Sequence, residues 1–68
     1  MRIKDLRKAR RITQLKMAMD LNMSQNTISR YESGERGPGI AELIRIADYF
    51  HVSIDYLVGR TDDPTLCK

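Results

Sequence analysis

Three residues, Asn22, Met23 and Ser24, separate two stretches of helical period, and this short link constrains the fold more than any other feature of the chain. Before it, Met17, Ala18 and Leu21 share one face of a helix that starts at Gln14, with Thr13 as the N-cap type of residue in front. Asn22 suits the left-handed position just past a helix end, and Met23 suits a contact that ties the turn to the core. Ser24 then restarts helix, because its hydroxyl can accept from an N–H that the first turn leaves unpaired. A link this short fixes the angle between the two helices.

The second of these helices has two unlike sides. At about 100° per residue, Ile28, Tyr31 and Glu32 fall together, whereas Asn26 and Arg30 point the opposite way, flanked by Thr27 and Ser29 with Gln25 at the tip. Surface helices normally carry Lys/Glu pairs. Amides, hydroxyls and a guanidinium are instead the groups that reach base edges and phosphates. Gly34 is placed to end the helix.

The other elements are legible from periodicity and punctuation. Residues 2–11 read as a first helix, with Ile3 and Leu6 inward, the stem of Arg10 beside them, and Arg2, Lys4, Lys8 and Arg11 outward. Arg7 lies near the apolar stripe and needs a carboxylate there; Glu32, on the core side of its own helix, is the candidate, and both are read as structural. Ile12 plugs the core before Thr13. After a loop punctuated by Gly37, Pro38 and Gly39, a fourth helix carries Ile40, Leu43, Ile44, Ala47 and Phe50 at helical period, widened by Ile46 and Tyr49. His51 ends it as a capping or surface residue. Val52 re-enters the core, Ser53 caps a short fifth helix to about Val58, and Gly59 closes it. The fold class is therefore all-α, five short helices on one core, with a domain over residues 1–60 and a flexible tail over 61–68.

Sixty-eight residues allow one modest core and leave little room for a catalytic cleft. One His, one Cys and scattered carboxylates make no triad, metal cluster or phosphate loop, so neither an enzyme nor a cofactor is expected. Cys67 has no second cysteine to pair with, which fits a reducing cytoplasm, and no apolar run approaches a membrane span. The net charge of +3 is unevenly divided. Residues 1–36 hold nine Lys/Arg against four Asp/Glu, and residues 37–68 hold three against five. Two readings of that asymmetry stand: a front half that faces a polyanion, or ordinary solvated charge.

The runs Ile12-Thr13-Gln14 and Met23-Ser24-Gln25-Asn26-Thr27-Ile28-Ser29-Arg30-Tyr31-Glu32-Ser33-Gly34 resemble the Cro/C1-type, or phage-repressor-like, helix-turn-helix domains. So does the stretch 43–59, with Ala47-Asp48-Tyr49-Phe50 and Val52-Ser53-Ile54-Asp55-Tyr56-Leu57. Agreement in order and spacing covers about residues 2–60. The resemblance implies a five-helix DNA-binding domain whose third helix enters the major groove of double-stranded DNA while the second braces on the backbone. It implies base reading by Gln25, Asn26 and Arg30. Ser24, Thr27 and Ser29 would lie nearer phosphates or the groove wall, and Gln14 would contact a phosphate and orient Gln25. It further implies a buried Arg7–Glu32 ion pair, and Ser33 and Arg36 in a loop that follows the backbone.

One helix reads about four or five base pairs, too few to be selective, so a homodimer on a pseudo-palindrome is expected. The family often pairs through the fifth helix, where Ile54 and Val58 form either a dimer patch or plain core packing. The function implied is transcriptional regulation, with repression the favoured sense. Asn22 stands where the family usually has Gly, and Leu15 and Met19 stand where Glu or Lys is usual. These last two are either a chance apolar pair or a docking point for a protein regulator or a second subunit, which leaves an antitoxin-like interaction module as the rival function. No small-molecule ligand is evident.

Overall fold

The computed structural model describes residues 1–63. Five helices follow in order: α1 (Ile3–Ala9), α2 (Gln14–Leu21), α3 (Gln25–Ser33), α4 (Ile40–Phe50) and α5 (Ile54–Val58). The all-α class and the number of helices agree with the sequence, and no strand occurs among the described residues. No helix among them is long and apolar enough to cross a membrane. Residues 64–68, which include Cys67 and most of the segment expected as a tail, lie outside the described residues.

Three of the five helix starts carry a side-chain cap. The hydroxyls of Thr13, Ser24 and Ser53 accept from the N–H groups of Lys16, Thr27 and Tyr56 at 3.0, 3.1 and 3.0 Å. A cap of this kind stabilises a helix by about 1 kcal/mol. Four helices also end alike. Arg11, Asn22, His51 and Gly59 all take the left-handed conformation. The next N–H then returns to the carbonyl five residues back: Ile12 to Arg7, Met23 to Ala18, Val52 to Ala47 and Arg60 to Asp55, at 2.8–3.1 Å. This six-to-one bond satisfies a carbonyl that the helix end leaves free and turns the following residue inward. Ile12, Met23 and Val52 accordingly lie in or against the core.

The ending at Arg11 makes α1 shorter than the span 2–11 expected of it. Arg11, at φ 56°, pays for the turn in backbone strain that glycine would avoid. Ile12 reaches the core only through that turn.

The core consists of Ile3, Met17, Ala18, Leu21, Ile28, Tyr31, Ile46, Ala47, Phe50, Val52 and Leu57. Ala18, small in the middle of its face, sits where α2 packs on α3 and α4. On α4 the buried side differs from expectation. Ile46, Ala47 and Phe50 are buried and Leu43 packs against them, but Ile40 and Ile44 are 78% and 45% exposed. Ile44 lies about 100° round the helix from Leu43, outside the sector that α2 and α5 cover.

Arginines fasten the helices to one another. Arg10 donates to the Phe50 carbonyl at the end of α4 and lies over the Phe50 ring, and Arg45 donates to the Leu21 carbonyl at the end of α2. Arg2 donates to the Tyr56 and Thr61 carbonyls and to Asp62 at 2.8, 3.1 and 2.7 Å, stacking on the Tyr56 ring. Cations at helix C-termini meet unpaired carbonyls and the negative end of the helix dipole. Thr61 and Asp62, at the start of the segment expected as a tail, thus receive hydrogen bonds from Arg2 at the start of α1.

Candidate nucleic-acid interface

The turn between α2 and α3 positions everything at the site. Asn22 has φ 55° and ψ 45°, so asparagine accepts the backbone that glycine usually provides. Ser24 caps α3, and its hydroxyl also lies 2.8 Å from that of Thr27. Thr27 is half-buried, and both groups belong to the first turn of the helix as well as to its outer rim.

From there α3 divides as its sequence divides. Ile28 and Tyr31 are buried, and the Glu32 side chain is 5% exposed. Gln25, Asn26, Ser29, Arg30 and Ser33 are exposed on the other side. Gly34, at φ 83°, ends the helix, and the Arg36 N–H returns to the Arg30 carbonyl at 3.3 Å, which keeps the start of the loop close to the exposed face. The Ser33 hydroxyl donates to the Arg30 carbonyl at 3.2 Å.

Behind this face, Arg7 grips Glu32 with two hydrogen bonds, Nε to Oε2 at 2.6 Å and Nη2 to Oε1 at 3.1 Å. Arg7 also donates to the Ile12 carbonyl at 2.9 Å. The Gln14 side-chain amide donates to Glu32 Oε1 at 3.1 Å. One carboxylate therefore joins α1, α2 and α3. Burial pushes the Glu32 carboxyl up, but the hydrogen bonds from Arg7 and Gln14 outweigh burial and hold it below its ordinary range. The Arg7 guanidinium is raised in turn by its bond to Glu32.

Gln14 turns toward the buried pair. Its amide goes to Glu32, and no hydrogen bond joins it to Gln25 among the described residues. Glu32 carries two acceptor oxygens beside the start of α2, a stronger attraction for an amide N–H than another neutral amide.

The structure also sorts the basic residues of the front half. Arg2, Arg7 and Arg10 are engaged within the fold, and Lys16 pairs with Asp20 at 3.0 Å. Lys4, Lys8, Arg11, Arg30 and Arg36 make no side-chain hydrogen bond or ion pair among the described residues. Of these, only Arg30 and Arg36 are site residues by sequence. The i,i+4 spacing of Lys4 and Lys8 was the signal available for the other pair. Ile54 is 38% exposed and Val58 half-buried, so of the proposed dimer patch Ile54 offers the larger surface. No group of three or more metal-ligating side chains gathers among the described residues.

The helix-turn-helix family pattern matches residues 3–57, from the start of α1 to the last turn of α5. The chain belongs to the helix-turn-helix family, Cro/C1 type. It is 33% identical over 63 residues to the uncharacterized HTH-type transcriptional regulator YobD of Bacillus subtilis, an alignment covering 93% of this chain and 56% of that protein. It is 42% identical over 59 residues to the cryptic phage CTXphi transcriptional repressor RstR of Vibrio cholerae, covering 87% and 53%. The HTH-type transcriptional regulator ImmR of Bacillus subtilis is 34% identical over 61 residues, covering 90% and 48%. The helix-turn-helix chain spans about half the length of these relatives. No solved structure matches it.

Proposed function

We propose that this helix-turn-helix chain binds double-stranded DNA sequence-specifically and regulates transcription, not catalysis, in the cytoplasm. The observation that carries this reading is the two-sided α3, whose exposed face holds Gln25, Asn26, Ser29 and Arg30 and whose hidden face is clamped by Arg7 to Glu32. A rigidly held face of amides, hydroxyls and one guanidinium suits the edges of base pairs. Gln25 and Asn26 pair bidentately with adenine, and Arg30 forks onto guanine or a phosphate. Ser24, Thr27, Ser29, Ser33, Arg36 and the outer end of Gln14 border the backbone. Repression is the favoured sense, because the similar RstR is a transcriptional repressor.

A homodimer on a pseudo-palindrome, with half-sites about 34 Å apart, supplies the selectivity that one helix lacks. Ile54, beside exposed Ile44 on α4, is the proposed centre of the pairing surface. Selection from a random duplex library at stated salt, followed by sedimentation with the selected site, tests the reading: one enriched two-fold motif and a two-to-one complex are expected. A library that returns no motif would instead favour the second reading, a protein-interaction module of antitoxin-like type. Leu15 and Met19, 54% and 72% exposed at i and i+4 on α2, are the observation behind that alternative.

A further inference from the structure

An open groove of about 380 Å³ runs between α1 and α3. Lys4 and Lys8 line it from α1, Ser29 and Ser33 line it from α3, and Gln14 with the Arg7–Glu32 pair completes the lining. Each pair is spaced i,i+4, so each helix presents one continuous edge to the groove. The charges are one-sided. Arg7 and Glu32 cancel, which leaves the two lysines unopposed.

Ordinary surface lysines face open water or a nearby carboxylate, as Lys16 faces Asp20. Lys4 and Lys8 are different, because the carboxylate beside them is already held by Arg7 and Gln14. Lys4 lies near enough to Glu32 to help hold its carboxyl down. Across the groove stand Ser29 and Ser33, on the side of the exposed α3 face that looks toward α1. With α3 in a major groove, a strand bordering its Ser29–Ser33 side would meet this groove and the lysines of α1.

We infer that this groove seats a stretch of the DNA backbone, with Lys4 and Lys8 of α1 pairing with phosphates that no base-reading residue touches. The inference rests on the DNA-binding reading above and adds to it a track on α1. Four residues of helix advance about 6 Å, and one strand offers a phosphate per about 3.4 Å of duplex axis, so the two lysines reach different phosphates. Ser29 supplies a hydroxyl donor on the opposite side of the same strand, beside Ser33, whose own O–H goes to the Arg30 carbonyl. The contacts carry charge and no sequence information, so they strengthen binding to every duplex alike.

The test is the salt dependence of binding by the intact chain, measured for the wild type, K4Q/K8Q and the control K16Q. Each is titrated with a duplex selected by the wild type and with a scrambled duplex of equal length. Each lost phosphate contact removes about 0.9 from the slope of log K against log salt, so the double variant should lose about 1.8 and bind about 60-fold more weakly near 0.1 M salt. The preference for the selected duplex should persist, and K16Q should keep the wild-type slope. DNA should also protect Lys4 and Lys8, but not Lys16, from acetylation. An unchanged slope in K4Q/K8Q, an equal fall in K16Q, or unprotected Lys4 and Lys8 overturns the inference while leaving DNA binding intact. A wild type whose DNA binding is undetectable at low salt overturns both readings.

Discussion

The carboxylate of Glu32 on α3 receives both Nε and Nη2 of Arg7 on α1, at 2.6 and 3.1 Å, with the two side chains only 5% and 12% exposed. Without it the exposed face of α3 would have one fewer fixed point behind it. Charges this far from water are tolerated only as a hydrogen-bonded pair, and removing one partner strands the other.

Glu32→Gln should therefore destabilise the fold by about 3 kcal/mol, the low end for a broken buried pair. In a domain of this size that lowers the melting temperature by roughly 12–24 °C. Thermal melting followed by circular dichroism measures it, and a shift of only a few degrees would contradict the burial.

The same carboxylate makes stability depend on acid. Glu32 sits below its ordinary value of 4.5 in the folded chain, so folded protein binds this proton less readily than unfolded protein does. The stabilisation is complete above that ordinary value and is lost as pH falls through the depressed one. Urea denaturation between pH 3 and pH 7 should show a flat upper region and a decline below about pH 4.5, a decline that is shallower in Glu32→Gln. Asp20, also held low by the Tyr49 hydroxyl and Lys16, should contribute a remaining slope that Asp20→Asn reduces.

Tyr49 donates to Asp20 Oδ2 at 2.6 Å, bridging α4 to α2. Its burial and the neighbouring carboxylate push the phenol up to about 12. The direction is the reverse of that for Glu32: stability is full below the ordinary tyrosine value of 10.0 and falls as pH rises toward 12. An absorbance titration at the phenolate band should show a step near pH 12 that belongs to Tyr49. Tyr49→Phe should remove that late step, and its survival in the variant would assign it elsewhere.

Base reading and backbone contact should separate by substitution. Gln25→Ala is expected to lose about 1–3 kcal/mol on the preferred site at one position, relaxing sequence choice there. Arg36→Ala should weaken selected and scrambled duplexes equally and reduce the salt slope by about 1. Competition binding across single-position variants of the selected site distinguishes them, and equal losses for Gln25→Ala on all sequences would remove its reading role.

What the chain determined by itself is what its local chemistry can decide. The hydroxyls of Thr13, Ser24 and Ser53 start their helices, Asn22, Gly34 and Gly59 stop theirs, and α3 shows a polar and an apolar side because those groups act within a few residues of their own backbone. The Arg7–Glu32 contact was also legible, since an arginine and a carboxylate on two core-facing stripes have few other ways to be satisfied. Tertiary packing decided the rest. Ile40 and Ile44 obey the same helical period as Leu43 and Ala47, and only the placement of α2 and α5 leaves them uncovered. Arg10 and Arg45 find carbonyls 40 and 24 residues away, a separation that no local pattern encodes. Gln14 is turned to Glu32, and Lys4 and Lys8 are brought opposite Ser29 and Ser33, because the crossing of three helices, set by the core beneath them, determines which edges share a groove.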